Sequence, residues 1–368
     1  MSLSGSNFAI GEAGEAELSL RCRRGAVSTT IVDRLELDAA AETRRIAQTL
    51  RVQVGETLRR GGIVVAMSGG VDSSVCAALA VEAVGPGHVL GLGLPERESD
   101  PQSLALARDW AARLAIEFLV EDITATLEAC GCYERRDAAV RRLVPDYGPG
   151  WRSKLVLDGG GLDSDRLNVC SIAVQPPGQN LRKVRLPARE LREIVAATNF
   201  KQRIRTMLAY HHADRLNYAV LGTPNRLEYD QGFFVKGGDG LADVKPMAHL
   251  YKSQVYQLAE SLGVPVAIRA RTPTTDTYSL PQTQEEFFFS MPLGMLDVVL
   301  QARNEGRSTA AVAADLGYRV EQIERAYHEI EHKRAVTRPL HLTSLLVAPV
   351  PDVGVAVRDE RGGGGGGS

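Results

Sequence analysis

Asp72 stands among hydroxyls and glycines in Ser68-Gly69-Gly70-Val71-Asp72-Ser73-Ser74, a run whose residue types suit the holding of phosphate. Gly69 and Gly70 let the backbone turn sharply and bring its N–H groups against a ligand, while Ser68, Ser73 and Ser74 add hydroxyl donors. A lone carboxylate in that company repels an anion, so a bridging Mg²⁺ is the simplest reason for Asp72 to be there. A second polar turn, Gly222-Thr223-Pro224-Asn225-Arg226-Leu227-Glu228, ends in a carboxylate, Glu228, suited to be the other ligand of that ion. Lys236 and Asp239 display one cation and one anion on a glycine-rich loop, and Lys252 stands at the opening of a helical pattern. The first turn is not a Walker A loop, because no Gly-Lys-Ser/Thr follows four residues after a first glycine.

These residues need elements to position them. Residues 63–67 are a short apolar run rich in β-branched side chains, the pattern of a strand covered on both faces, and the helix expected over 73–84 aims its positive end at the turn. Gly85-Pro86-Gly87 stops that helix. Strands are expected over 88–94, 117–120 and 218–221, with helices over 38–60, 102–115, 199–215 and 253–262. Strand and helix alternate, which predicts an α/β fold with a doubly wound parallel sheet, its ligand at the carboxyl ends of the strands. Between about 133 and 191 the alternation breaks into a long irregular insertion. There, glycine-bearing clusters at 146–151 and 158–163 read as loops, and 168–174 pairs with 183–186 as a hairpin across Pro176-Pro177-Gly178. Asp158, Asp163 and Asp165 do not match the twelve-residue calcium loop. The chain divides into an N-terminal arm over 1–35, one domain over 36–345, and a tail over 346–368 whose glycines read as a linker.

Composition bounds the function. A formal net charge of −2 over 368 residues gives no electrostatic case for general nucleic-acid binding, although Arg21 to Arg24 form a local patch. Five scattered cysteines fit a reducing cytoplasmic compartment. No second Cys or His pair stands at zinc-ligand spacing from Cys130-Gly131-Cys132. No stretch approaches the ~20 apolar residues needed to span a bilayer.

The Ser68–Ser74 run resembles the pyrophosphate loop of the ATP pyrophosphatase superfamily, whose members split ATP into AMP and pyrophosphate. The motif order beyond it resembles the ammonia-dependent NAD synthetase family: Asn199-x-Lys201-Gln202-Arg203-Ile204-Arg205, Gly222-Thr223-x-Asn225-x-x-Glu228, and Gly232-Phe233-Phe234-x-Lys236-x-Gly238-Asp239-Gly240. Asp243-x-x-Pro246, Leu250-x-Lys252-Ser253-x-Val255, Pro273-Thr274, Gln282-Thr283-Gln284-Glu285-Glu286 and His332-Lys333-Arg334 continue it. The resemblance implies a homodimeric, AMP-forming amide ligase, which adenylates a carboxylate such as deamido-NAD with ATP and lets ammonia displace AMP. By matching position it implies that Ser68, Gly69, Gly70, Asp72, Ser73 and Ser74 hold pyrophosphate and metal, with Glu228 as the other Mg²⁺ ligand. It further implies that Arg205 and Thr223 contact the AMP portion of ATP, that Lys252 and Thr274 neutralise phosphates, and that Lys236 and Asp239 face the small-molecule carboxylate. Asp72, Lys236 and Lys252 are then the catalytic candidates. No glutaminase domain with its own Cys nucleophile is present, so free ammonia or a separate ammonia-supplying glutaminase is implied. Leu227, Val235 and Thr275-Asp276-Thr277-Tyr278 depart from the family on the acceptor side, which leaves a different carboxylate, or a nucleotide-binding relative without catalysis, as alternatives. A sulfur-transferring tRNA enzyme is disfavoured by the lack of paired Cys-x-x-Cys motifs and of a basic surface excess.

Overall fold

Ile63, Val64 and Val65 are wholly buried because they form an inner strand with helices on both of its faces. The computed structural model describes residues 35–158, 169–274, 277–283, 293–348 and 350. Almost all of the expected arm, the acidic loop of Asp163 and Asp165, Thr275-Asp276, Gln284-Glu285-Glu286 and the glycine tail lie outside the described residues. In chain order, α1 (Ala39–Arg51) runs into a π turn and leads to β1 (Ile63–Ala66), α2 (Val71–Val84), β2 (Val89–Gly93), α3 (Pro101–Arg113) and β3 (Glu117–Val120). Next come α4 (Thr124–Ala129), α5 (Cys132–Arg141), β4 (Arg152–Asp158), β5 (Val169–Gln175) and β6 (Arg182–Arg185). The long helix α6 (Ala188–Leu216) returns to the sheet at β7 (Ala219–Leu221), followed by α7 (Arg226–Gln231), α8 (Lys252–Ser261) and α9 (Val266–Arg269). Helices α10 (Leu293–Asn304), α11 (Thr309–Leu316) and α12 (Val320–His341) complete the described chain.

The main sheet has the order β3-β2-β1-β7 and every pairing is parallel. The chain moves from β1 outward through β2 and β3, then crosses to the other side of β1 to add β7. That reversal puts a crevice at the carboxyl ends of β1 and β7, where open α/β sheets take their ligands. Alternate side chains of β1 serve the two faces: Ile63 and Val65 join a core with α1, α2 and α8, whereas Val64 meets Leu127, Ala209 and Ala213 of α4 and α6. Helix α2 is buried on most of its surface, as the small and apolar residues from Val75 to Val81 require. Leu35, expected in the arm, is instead buried with α10, α11 and α12 in a separate core.

The span expected to break the alternation does so, but with regular structure. It contains α5 and an antiparallel sheet of order β4-β5-β6, in which the expected hairpin appears as β5 and β6. β4 is not among the expected strands: Ser153 to Leu157 lies between the two glycine-bearing clusters at 146–151 and 158–163, each of which reads as a loop. The far edge of β4 is occupied: Leu280 N–H donates to Ser153 O at 3.2 Å, Ser153 N–H to Ser279 Oγ at 2.9 Å, and Lys154 Nζ to Pro281 O at 3.0 Å. The inserted sheet therefore holds residues 279–281 beside the main cleft. Its end also differs from expectation, since Pro187 opens a single 29-residue helix and residue 191 lies inside it.

Candidate active site

The turn after β1 bends at Gly69, whose φ of +74° is open to glycine and costly to other residues. A Cβ there would stand 2.2 Å from Ser103 O, so the turn also needs the missing side chain in order to lie against α3. Gly70 is the N-cap of α2, and no side chain caps that end. Ser73 Oγ accepts from Ser68 N–H at 3.2 Å and donates to Gly70 O at 3.1 Å, which locks the curl of the turn. Trp110 of α3 donates its indole N–H to Ser74 O at 2.9 Å and braces the helix from behind. The result is a helix N-terminus with its dipole and backbone donors presented to a cleft, an anion site built of backbone.

Asp72, in the first turn of α2, is held from two sides. Its Oδ2 accepts from the ammonium of Lys252, which is 2% exposed, and its Oδ1 accepts from Asn225 Nδ2 at 3.0 Å. Asn225 is also the N-cap of α7 in a reciprocal capping box with Glu228, in which Glu228 Oε2 accepts from Asn225 N–H at 3.2 Å. One asparagine thus joins the two acidic residues singled out by the sequence. Burial works against the charge on Lys252, but the fields of Asp72 and Glu228 outweigh it and hold the ammonium well above the ordinary lysine range. Lys252 is the first residue of α8, whose first two N–H groups, Lys252 and Ser253, donate to the wholly buried Asp297 at 3.1 and 2.6 Å. Burial pushes the Asp297 carboxyl up to about 6, against these hydrogen bonds and the charge of Lys252.

The turn opens into a cleft of about 940 Å³ at the carboxyl ends of β1, β2 and β7. Ser68, Gly70, Asp72, Ser73, Arg205, Thr223, Glu228, Lys236, Asp239 and Thr274 all line it. Gly69 and Ser74 do not: Gly69 faces α3, and the Ser74 hydroxyl donates back to Gly70 O at 2.9 Å inside the helix. Lys252 is likewise not a lining residue and reaches the site through Asp72. Lys236 lines the cleft, yet its ammonium donates to Pro339 O at 2.9 Å and Leu342 O at 3.1 Å, the orphan carbonyls at the end of α12. Asp239 accepts from Val235 N–H at 2.7 Å across its own loop, and Arg205 donates from Nε to Leu94 O at 3.1 Å.

The sequence reading missed several supporting residues. The Asn225 cap was legible as Asn-x-x-Glu, but Asp297 carried no local signal because its partners are 44 and 45 residues away. A buried ionic cluster below the cleft was also unforeseen. Lys201 Nζ donates to Glu96 at 2.7 Å, Glu98 at 2.7 Å and Thr277 O at 2.8 Å, while Arg136 pairs with Glu98 at 2.7 Å and Tyr133 OH donates to Glu96 at 2.7 Å. It ties β2, α5 and α6 to the segment carrying Tyr278, a further cleft-lining residue. Cys132, in that region, has its thiol pushed up to about 11 by burial and donates to Ala197 O at 3.2 Å, a structural rather than a nucleophilic thiol.

Two carboxylates that share one asparagine suit a divalent ion. Among the described residues no group of three or more His, Cys, Asp or Glu side chains could hold a metal, and Asp72 and Glu228, both hydrogen-bonded to Asn225, are a pair of hard oxygen donors at the cleft. That donor set fits Mg²⁺, a hard cation that takes one or two carboxylates and completes its shell with substrate phosphates and water.

Comparison with known proteins adds a family. The family model described as NAD synthase matches residues 42–142 and 166–337. The unmatched stretch, 143–165, contains β4. The chain is similar to the NH(3)-dependent NAD(+) synthetase of Rhizobium meliloti (strain 1021), with 56% identity over 323 residues, 87% of this chain and 96% of that protein. The protein of the same name from Thermotoga maritima is 37% identical over 239 residues, 65% of this chain and 79% of its own. The solved NH3-dependent NAD synthetase of Campylobacter jejuni superposes with a TM-score of 0.55 at 18% identity, over 85% of this chain and 100% of that one, a likeness of fold.

Proposed function

The chain belongs to the NAD synthase family, and from that premise we propose that it amidates the carboxylate of deamido-NAD with ammonia, using ATP that leaves as AMP and pyrophosphate. The observation that carries this reading is the 56% identity to an NH(3)-dependent NAD(+) synthetase along almost the whole of that protein. The cleft geometry supports its first half. A carboxylate oxygen attacks the α-phosphorus of ATP, the bond to the bridging oxygen breaks, and negative charge grows on the departing pyrophosphate. The uncapped N-terminus of α2 opens onto the cleft with Ser68 beside it, a setting that would receive that charge, while Ser73 holds the turn in shape and Lys252 adds a buried positive charge behind Asp72. Asp72 and Glu228 would hold Mg²⁺, which when bound screens the phosphate charge and draws electron density from the phosphoryl oxygens.

Arg205 and Thr223, on the walls between the turn and the β7 loop, are assigned to the AMP portion, and Thr274 to the phosphates. Asp239 and Lys236 are assigned to the acceptor. For Lys236 this requires its ammonium to leave the carbonyls at the end of α12 or to act while still anchored there. The second step, displacement of AMP by ammonia, needs no protein nucleophile. It needs the acyl adenylate held still and water excluded, which is positioning. Ammonia comes free or from a separate glutaminase, and the enzyme acts in the cytoplasm as a homodimer.

ATP/pyrophosphate exchange across a panel of carboxylates tests the assignment. The expected result is exchange that depends on deamido-NAD, followed by NAD formation when ammonium is added. Exchange with another acid and none with deamido-NAD would transfer the same chemistry to that acid.

A further inference from the structure

We infer that Arg271 is a phosphate-binding residue of this cleft, held in reserve on Asp100 until a nucleotide arrives. The inference rests on the ATP-dependent reading above and extends it to a residue that neither the phosphate turn nor the polar loops suggested. Arg271 follows α9 and shares the cleft lining with Asp100 and Ser103. Its guanidinium makes two 2.7 Å contacts, one to Ser103 Oγ and one to Asp100 Oδ2. Ser103 is the residue against which the phosphate turn closes, since its carbonyl lies 2.2 Å from where a Gly69 Cβ would be. One residue, Ser103, therefore touches both the cation, through its hydroxyl, and the turn, through its backbone.

The other cleft-lining cations have different work. Arg205 donates to Leu94 O, Arg203 to Lys236 O, Lys236 to the end of α12, and Arg97 lies 3.4 Å over the Tyr133 ring. Among the described cleft-lining cations, Arg271 is the one whose contacts reach the first turn of α3, against which the phosphate turn rests. Asp100 is itself 46% exposed while Arg271 is 20% exposed, so the pair sits where water and an incoming anion can compete for it. A doubly charged phosphate is a stronger partner for a planar guanidinium than a solvated carboxylate, and it can take both N–H groups at once. When the bond between the α- and β-phosphates breaks and its electron pair stays on pyrophosphate, a guanidinium there stabilises the leaving group and retains the product.

Asp100 then acts as a competitor, and this sets the test. Initial rates are measured with ATP, deamido-NAD and ammonium, with pyrophosphate as product inhibitor, for wild type, Arg271→Ala, Arg271→Lys and Asp100→Asn. The asparagine keeps the N-cap acceptor that Asp100 gives to Gln102 N–H at 2.9 Å. Arg271→Ala is expected to raise KM for ATP and the inhibition constant of pyrophosphate about tenfold, with KM for deamido-NAD unchanged and Arg271→Lys between the two. Asp100→Asn is expected to move both constants in the opposite direction, because it frees the guanidinium. If Arg271 only braces the start of α3, breaking the pair from either side weakens ATP binding alike, and that outcome overturns the inference. Unchanged ATP and pyrophosphate constants in Arg271→Ala overturn it as well. A wild-type protein that shows no deamido-NAD-dependent turnover removes the underlying reading instead, a result that comparing wild type with the three variants keeps separate.

Discussion

Replacing Asp72 with asparagine separates the two things this residue does. From sequence alone the change removes a metal ligand and leaves the fold untouched; the structure adds a buried ammonium that depends on it. Lys252 is 2% exposed and the Asp72 side chain 18%, so Asp72→Asn leaves a nearly dry cation facing an amide. Breaking a buried pair from one side costs about 3 to 5 kcal/mol, and the partial solvation of Asp72 places the cost near the lower end, about 3 kcal/mol. For a chain of 368 residues that corresponds to a fall in Tm of roughly 4 °C. Lys252→Met in the same background removes the stranded charge and recovers most of the loss, while ATP/pyrophosphate exchange remains absent in both variants. The assays are urea or thermal unfolding and exchange with deamido-NAD. A single variant as stable as wild type refutes the buried-pair argument, and exchange restored in the double variant refutes the assignment of Asp72 to metal and phosphate.

Two predictions concern pH. Asp297 has its carboxyl raised from 3.8 to about 6 by burial, so the folded state holds the proton more tightly than the unfolded one. Stability is full below about pH 4 and falls by about 3 kcal/mol as pH rises through 6. Asp297→Asn flattens that descent, and parallel urea midpoints for the two proteins between pH 4 and 7 would contradict it. Glu98 behaves oppositely: burial raises its carboxyl, but Arg136 and Lys201 outweigh burial and hold it down to about 2. Its stabilisation is present above about pH 4.5 and is lost as pH falls toward 2, again about 3 kcal/mol. Glu98→Gln is less stable at neutral pH, and its difference from wild type closes in acid; a difference independent of pH would count against the pairing.

Sequence and structure agree best where the information is local. The strand at 63–66, the glycine turn and α2 follow from β-branched residues, a required positive φ and small apolar residues, each readable within a few positions. The same holds for β2, β3, β7 and α8, which match the expected spans to within one or two residues. What escaped depends on partners far along the chain. Asp297 reads as an acid within an apolar helix until α8 is placed over it, and Lys201 reads as one of three basic residues until Glu96 and Glu98 come from the end of β2. Lys236 reads as a cation displayed on a glycine-rich loop, and the carbonyls that accept from its ammonium come from the end of α12, a hundred residues later. β4 was lost because flanking glycines outweighed seven residues of modest β pattern, and its edge pairing is with residues 279–282, distant in sequence.

The central claim is that the carboxylate itself attacks ATP at the α-phosphorus while the turn near residue 70 receives pyrophosphate. Deamido-NAD labelled with ¹⁸O in its carboxylate tests this directly, with AMP and inorganic phosphate analysed by mass spectrometry after one turnover with ammonium. One labelled oxygen in each AMP and none in phosphate is the expected result. Unlabelled AMP, or label in phosphate accompanied by ADP, would contradict adenylation at this site.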